Sequence, residues 1–210
     1  MWKTRREASK ALVEIIEEEV SRPRIVFGIP RGGVILAAAV AEKLSSSFSL
    51  VVVKKLSAPG REELTIGAVG KEKDSLFLNE DLIKELKIKK DYLDRELNLK
   101  RAEVARREKE YQPRNQKLTV AGKKAIIIDD GVATGATMIA AIRQLRLSNP
   151  DEVIVAVPVI SISALEKVQQ EADRVIKLTT PKLFFSVSQF FEQFPQVSDE
   201  EVKRVLAKAR

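Results

Sequence analysis

Apolar residues recur along this chain in two rhythms, and their alternation sketches a fold. From Trp2 to Val20 the positions Ala8, Leu12, Ile15, Ile16 and Val20 follow a helical period, with Glu17–Glu19 on the wet side, and Arg22-Pro23 closes the segment. Arg24–Ile29 reads as a short buried strand, broken by Pro30-Arg31-Gly32-Gly33. Val34–Leu44 follows as an alanine-rich helix that can lie close to a sheet, and Leu50–Val53 as another buried strand ending in Lys54-Lys55. The rhythm returns later: strand Ala125–Ile128, helix Met138–Leu147, strand Glu152–Val157, helix Ser161–Ala172 and strand Arg174–Leu178. Strands alternating with helices predict an α/β fold, doubly wound, with a mostly parallel sheet and helices on both faces.

Between about residues 57 and 122 the alternation is lost, and this stretch reads as a charged, mixed α/β insertion in a single domain of 210 residues. Leu64–Val69 and Leu76–Leu78 suit short strands on either side of a turn at Gly70–Asp74, and Asn79 caps a short helix running to Leu86. Lys90–Tyr111 predicts one long helix whose apolar stripe, Leu93, Leu97, Val104 and Tyr111, is so narrow that the helix should lie on the surface. Its Glu96–Lys100 and Glu103–Arg107 pairs have the favourable i,i+4 order. From about 179 to 210 the chain reads as a small C-terminal hood holding five of the eight phenylalanines. Phe190, Phe191 and Phe194 are expected in the core; of the adjacent Phe184 and Phe185, one is free to face a pocket.

The chemistry concentrates in Lys124-Ala-Ile-Ile-Ile-Asp-Asp-Gly-Val-Ala-Thr-Gly-Ala-Thr137. A strand buried on both faces delivers Asp129 and Asp130, with no spacer, to the point where it leaves the sheet. Two adjacent carboxylates repel and are costly to desolvate, so they call for ligand or cation partners. Because they are expected to serve a ligand and not the core, neutralising both should leave the fold intact, with relief of repulsion favouring stability. Gly131, Val132, Ala133, Thr134, Gly135, Ala136 and Thr137 then lead into a helix, a loop whose N–H groups and threonine hydroxyls can converge on one anion. The spacing excludes a Walker A loop, and no dinucleotide fingerprint is present. A second constellation, Gly28-Ile-Pro-Arg-Gly-Gly33, offers a fixed cation and free N–H groups before a helix, a pyrophosphate-shaped site.

Composition narrows the possible reactions. With no Cys and no His, thiol nucleophiles, imidazole acid–base catalysis, disulfides and zinc sites built from these residues are excluded. A metal would be a hard cation held by carboxylates, water and substrate phosphate, which points to Mg²⁺. No apolar run approaches 18 residues and no signal-peptide core follows Met1, so no membrane association and a cytoplasmic location are expected. Fourteen Lys/Arg against seven Asp/Glu between Lys84 and Lys124 account for the whole net charge of +7.

Ile126-Ile-Ile-Asp-Asp-Gly-Val-Ala-Thr-Gly-Ala-Thr137 resembles the phosphoribosyl-pyrophosphate (PRPP) motif of type I phosphoribosyltransferases. The stretches Pro30–Gly33, Lys54–Gly60, Ile66–Val69, Leu78–Glu80 and Ser186–Glu201 are similar to a branch of that family with no agreed acceptor. The resemblance implies transfer of a phosphoribosyl group from PRPP to a nitrogenous, nucleobase-like acceptor, with pyrophosphate and Mg²⁺, in a homo-oligomer, a dimer. It implies catalytic roles for Asp129, Asp130, Arg31, Lys55 and Arg61, with Asp129 and Asp130 also meeting the metal. PRPP contacts would come from Pro30, Arg31, Gly32, Gly33, Lys54, the acid pair and the loop Gly131–Thr137.

Side-chain alternation at a strand end lets only one of Lys54 and Lys55 face the crevice. A flexible loop closes over PRPP in the family, and Ser57–Leu64, with its Pro-Gly pair and Arg61, is the matching segment, expected to move as a lid. Phe184 or Phe185 would stack on the planar acceptor. The rival reading is a non-catalytic PRPP- or nucleotide-sensing regulator that binds RNA or protein through the basic segment. Only Tyr92 and Tyr111 interleave with those charges, which weighs against nucleic acid.

Overall fold

The computed structural model describes residues 1–111 and 118–208. Residues 112–117, which fall within the expected insertion and basic segment, and 209–210 of the expected hood lie outside the described residues.

Helix α1 (Arg5–Glu19) starts where the Thr4 side chain accepts from the Glu7 N–H, and it buries Ala8, Leu12 and Ile16 on one stripe. Strand β1 (Arg24–Gly28), helix α2 (Gly32–Lys43) and strand β2 (Ser47–Leu50) follow. A Cβ at Gly28 would fall 3.0 Å from both Val34 Cα and Ala37 Cβ, so this glycine and the small residues of α2 let helix and strand pack closely.

Later in the chain come β6 (Lys124–Ile128), α5 (Ala136–Arg146), β7 (Glu152–Val159), α6 (Ile162–Gln169) and β8 (Arg174–Thr179). Five parallel strands pair in the order β2-β1-β6-β7-β8. Their continuous apolar runs divide by strand periodicity into two cores. Val26, Ile126, Ile128, Ile154 and Ala156 face α1 and α2, whereas Ile25, Phe27, Ala125, Ile127, Val153 and Val155 face α5 and α6. The doubly wound parallel architecture expected from the alternation is therefore present.

The expected strand at Leu50–Val53 shifts. Pairing to β1 is made by Ser47–Leu50, and Val51–Val53 run buried out of the sheet. An apolar run signals burial, not ladder partners, and these valines fill both cores as a connection. A second, antiparallel sheet begins at Lys54, three residues before the expected insertion: β3 (Lys54–Ala58), β4 (Arg61–Val69) and β5 (Leu76–Leu78) in the order β3-β4-β5.

This sheet packs against α5, with Gln144 Oε1 accepting from the N–H groups of Lys71 and Glu72 at 2.9 and 3.2 Å. Helices α3 (Glu80–Glu85) and α4 (Lys90–Tyr111) follow, with Leu93 and Leu97 packed on the small core around Leu56 and Ile66. As its thin stripe predicts, α4 fully buries little, chiefly Val104 and Tyr111. After β8, a 3₁₀ turn (Val187–Phe190) and helix α7 (Asp199–Lys208) complete the described chain. No helix of the described residues is long and apolar enough to cross a membrane.

Ser57–Leu64 is not an open loop. It forms the β3–β4 hairpin, with Ala58 opposite Arg61 across Pro59-Gly60 and Gly60 at φ +68°. Ser57 Oγ donates to the Glu62 carbonyl at 2.8 Å, and the Tyr92 hydroxyl of α4 donates to the Ser57 carbonyl at 2.9 Å. Tyr92→Phe should therefore raise amide exchange at Ala58–Glu62 several-fold while costing only about 1 kcal/mol in overall stability. Exchange mapped by mass spectrometry beside denaturant unfolding checks this; an unchanged hairpin would show that the tie is idle.

Candidate functional site

The two loops singled out by their residues open side by side at the carboxyl ends of β1 and β6, where the strand order reverses. They touch. A Cβ on Gly33 would fall 2.7 Å from the Ile128 carbonyl oxygen and 2.8 Å from Asp129 Oδ1, and one on Gly32 would fall 2.0 Å from Asp130 Oδ2. These glycines are thus needed because the β1 loop presses against both carboxylates.

Asp130 has the cation that its position requires. Arg5, buried at the start of α1, approaches Asp130 Oδ2 through Nε at 3.0 Å and Nη2 at 2.9 Å. The same guanidinium donates to the Pro195 carbonyl at 2.9 Å and lies 3.7 Å from the centre of the Phe194 ring. Asp129 has no such partner: its Oδ1 accepts the Asp130 N–H at 2.9 Å, and no ion pair reaches it among the described residues. Burial, and then the Asp130 charge, push its carboxyl well above the usual carboxylate range, with the Asp130 N–H, Lys55 and Arg5 pulling it back. Burial also raises Asp130, with Arg5 the main opposing influence.

The loop after the acids is held from β7. Val132 donates to the Val159 carbonyl and accepts from the Ser161 N–H, both at 2.9 Å, while Ser161 Oγ donates to the Ala133 carbonyl at 2.6 Å. Gly135, at φ +84°, turns the chain directly into α5, which begins two residues earlier than its apolar pattern suggests. Thr137 consequently sits in the first helical turn, where N–H groups lack helical partners. Ala133 and Thr134 are exposed, Gly131 and Thr137 half-buried, and Val132, Gly135 and Ala136 buried. Gly131 is roofed by the C-terminal segment: a Cβ there would fall 2.7 Å from Val187 Cγ1.

The remaining expected residues divide. Pro30 and Arg31, joined by a cis peptide, are half-exposed beside the acids, and Arg31 Nη1 lies 3.9 Å from Asp199 Oδ1. Of the two lysines, Lys55 acts on Asp129. Lys54 turns away to Glu103 of α4 at 3.2 Å, which argues against its expected contact with PRPP. Arg61 is exposed at the far end of the hairpin, and no hydrogen bond or ion pair joins it to the crevice among the described residues. Phe184 packs on Phe190 with ring centres 5.4 Å apart, whereas Phe185 is 84% exposed. Phe191 is buried between Trp2 and Phe194, and Phe190 and Phe194 are partly buried against the same core.

A sequence profile of the phosphoribosyl transferase domain matches residues 3–195. The chain belongs to that family. It is 34% identical over 209 residues to the Mycobacterium tuberculosis protein Rv0571c, whose name provisionally calls it a phosphoribosyl transferase; the match covers 100% of this chain but 47% of that protein, so the chain spans about half its length. The crystal structure of TT1426 from Thermus thermophilus superposes with a TM-score of 0.81 at 34% identity, covering 99% of this chain and 98% of that one. A Neisseria gonorrhoeae hypothetical protein solved with bound ppGpp shares the fold at a TM-score of 0.52 and 15% identity, over 100% of this chain and 97% of that one.

For this phosphoribosyl transferase domain, motif reading missed the supports of the site: Arg5, Ser161, Val187 and the Asp199 network. Only Arg5 left a signal. It stands at the head of the stripe Arg5, Ala8, Leu12, Ile16, a charge on an apolar face. Its pairing also divides the expectation for neutralising both acids between them. Asp129→Asn removes a half-buried charge that no cation pairs with among the described residues, so it should raise the melting temperature at pH 7–8. The sign follows from a folded pKa above the unfolded value: wild-type stability is fullest below the unfolded carboxylate range, near 3.9, and declines as pH rises through the folded value, so the mutant's advantage should vanish near pH 4. Asp130→Asn should gain less, because burial raises Asp130 too but Arg5 offsets much of that and loses its counter-ion in the mutant. Thermal melts of both mutants against pH check that the larger gain belongs to residue 129.

Proposed function

We propose that this domain transfers a phosphoribosyl group from PRPP to a nitrogenous, nucleobase-like acceptor. The observation that carries the reading is the contact between the β1 loop and the acid pair at the switch in strand order; family membership supports it. In the reaction the bond between ribose C1 and the pyrophosphate oxygen breaks and a bond from C1 to an acceptor nitrogen forms, so positive charge develops at C1 on the way. Asp129 and Asp130 would accept hydrogen bonds from the ribose hydroxyls and place negative potential beneath C1. The Gly131–Thr137 loop and the first turn of α5 would hold the 5′-phosphate. Arg31 and Lys55 would stabilise the departing pyrophosphate. Val187, over Gly131, would form part of a hood that excludes water.

Among the described residues no three acids gather as a metal cage. With Asp130 engaged by Arg5, the donor set is one open carboxylate, Asp129, and whatever oxygens the substrate brings. That suits Mg²⁺, which keeps several waters and binds through one or two carboxylates plus substrate phosphates. When bound it would neutralise pyrophosphate charge; Asp129 is the residue placed to meet it.

Purified protein given PRPP, Mg²⁺ and a panel of purine and pyrimidine bases should release pyrophosphate with at least one base. Asp129→Asn should lower turnover by about 10²-fold or more without loss of fold. No release with any base, together with no calorimetric heat from millimolar PRPP, would overturn the reading.

A further inference from the structure

Asp199 opens α7, and its Oδ1 atom is the meeting point of three donors from distant parts of the chain. Arg107 Nη1, near the end of α4, lies 3.1 Å away; the Tyr111 hydroxyl donates to the same atom; and Arg31 Nη1, from the β1 loop, lies 3.9 Å away. Arg107 Nη1 is also 2.8 Å from the Tyr111 hydroxyl, which knits the donors together. Lys203, one turn along α7, adds positive potential. The hydrogen bond from Tyr111, followed by the nearby arginines, holds the Asp199 carboxyl below its usual range, and burial with the bond to Asp199 pushes Tyr111 up to about 12. At neutral pH the arrangement is therefore a carboxylate among two guanidiniums, an ammonium and a phenol.

That donor set exceeds what Asp199 uses. All three contacts converge on one carboxylate oxygen, and Arg107 Nε is buried without a hydrogen-bond partner among the described residues. A tetrahedral oxyanion presents several oxygens to such a set, and arginine forks match it. The weakest contact is also the one nearest the acid pair. Arg31, 38% exposed in its side chain, meets Asp199 only at 3.9 Å, a pair that solvent screens and that yields readily to a better anion.

We propose that Arg31, Arg107 and Tyr111 form a subsite for a phosphate-class oxyanion beside the acid pair, and that Asp199 fills it as an internal counter-ion which the incoming anion displaces. The inference rests on the preceding reading of the crevice and adds to it a competitor carried by α7 and a contribution from α4. The pyrophosphate of the donor substrate and free orthophosphate share the required chemistry. In either case Asp199 lowers the affinity of the resting protein for the anion.

Calorimetric titration with pyrophosphate, and separately with orthophosphate, tests this on wild type, Asp199→Asn, Arg107→Gln and Arg31→Ala, each with a thermal melt. Asn keeps the size of Asp199 and an oxygen for Tyr111 while removing the competing charge. Asp199→Asn should bind pyrophosphate about tenfold more tightly, and Arg107→Gln about fivefold more weakly, than wild type. Tightening toward orthophosphate as well supports a subsite for a single phosphoryl group; tightening confined to pyrophosphate supports a part of a pyrophosphate cradle. Unchanged or weaker binding by folded Asp199→Asn overturns the proposal, as does wild-type affinity in Arg107→Gln, which carries the test alone if Asp199→Asn fails to fold. Pyrophosphate binding that is lost in Arg31→Ala yet indifferent to residues 107 and 199 overturns this inference and leaves the transferase reading standing. No binding of pyrophosphate or PRPP by wild type or Asp199→Asn overturns both.

Discussion

Two carboxylates side by side at the end of a buried strand are the constraint around which this domain is arranged. Desolvation and mutual repulsion act together there, and the surrounding chain answers each acid differently. Asp130 is matched by a buried arginine that is itself fixed by a backbone carbonyl and an aromatic ring. Asp129 is left with a backbone N–H and a more distant lysine. The asymmetry creates one acid anchored by a guanidinium and one without a side-chain counter-ion among the described residues, from two identical residues. Holding that arrangement requires the β1 loop to have no side chain at two consecutive positions, since a Cβ at either Gly32 or Gly33 would overlap the carboxylates or the strand end.

Arg5 also ties the acid pair to parts of the chain remote in sequence. The residues just before it pair with the C-terminal segment: Trp2 N–H donates to the Phe190 carbonyl, and the N–H groups of Glu192 and Gln193 donate to the carbonyls of Trp2 and Lys3. Trp2, Phe191 and Phe194 pack as neighbouring rings beneath this strap. The segment that places Val187 over Gly131 is thereby linked to the helix that supplies the counter-ion of Asp130. Loosening the strap would disturb the roof of the Gly131–Thr137 loop and the electrostatics of the acids together.

The charges of α4 gain a structural meaning in the same way. Glu103 holds Lys54 and Lys100, Glu108 holds Lys71, and Arg107 reaches Asp199. The helix thus spans from the antiparallel sheet, through Tyr92, Leu93 and Leu97, to the C-terminal helix, through Arg107 and Tyr111. Among the described residues Lys100, Arg106 and Arg107 of this helix have acidic partners, and few of its side chains are buried, because a strut between two substructures needs contacts at its ends more than along its length.

The alternation of strand and helix, the Ile126–Thr137 motif and the Pro30–Gly33 turn were legible along the chain, because each is a local pattern: a period, a capping glycine, an acid pair at a strand end. Those patterns determined the parallel sheet, both of its cores and the two loops that meet at the crevice. Where residues 50–53 were concerned the same logic misled, since hydrophobicity reports burial and is silent on pairing; the ladder to β1 went to Ser47–Leu50 instead. The choice between Lys54 and Lys55, the closed hairpin at Ser57–Leu64 and the exposure of Phe185 depended on which surface each element met. Arg5 lies 125 residues from Asp130, and Asp199 lies 88 from Tyr111. No local period connects such pairs. Tertiary structure alone decided which acid is neutralised and which arginine is engaged, because a charge's partner is set by distance in space and by the solvent removed around it.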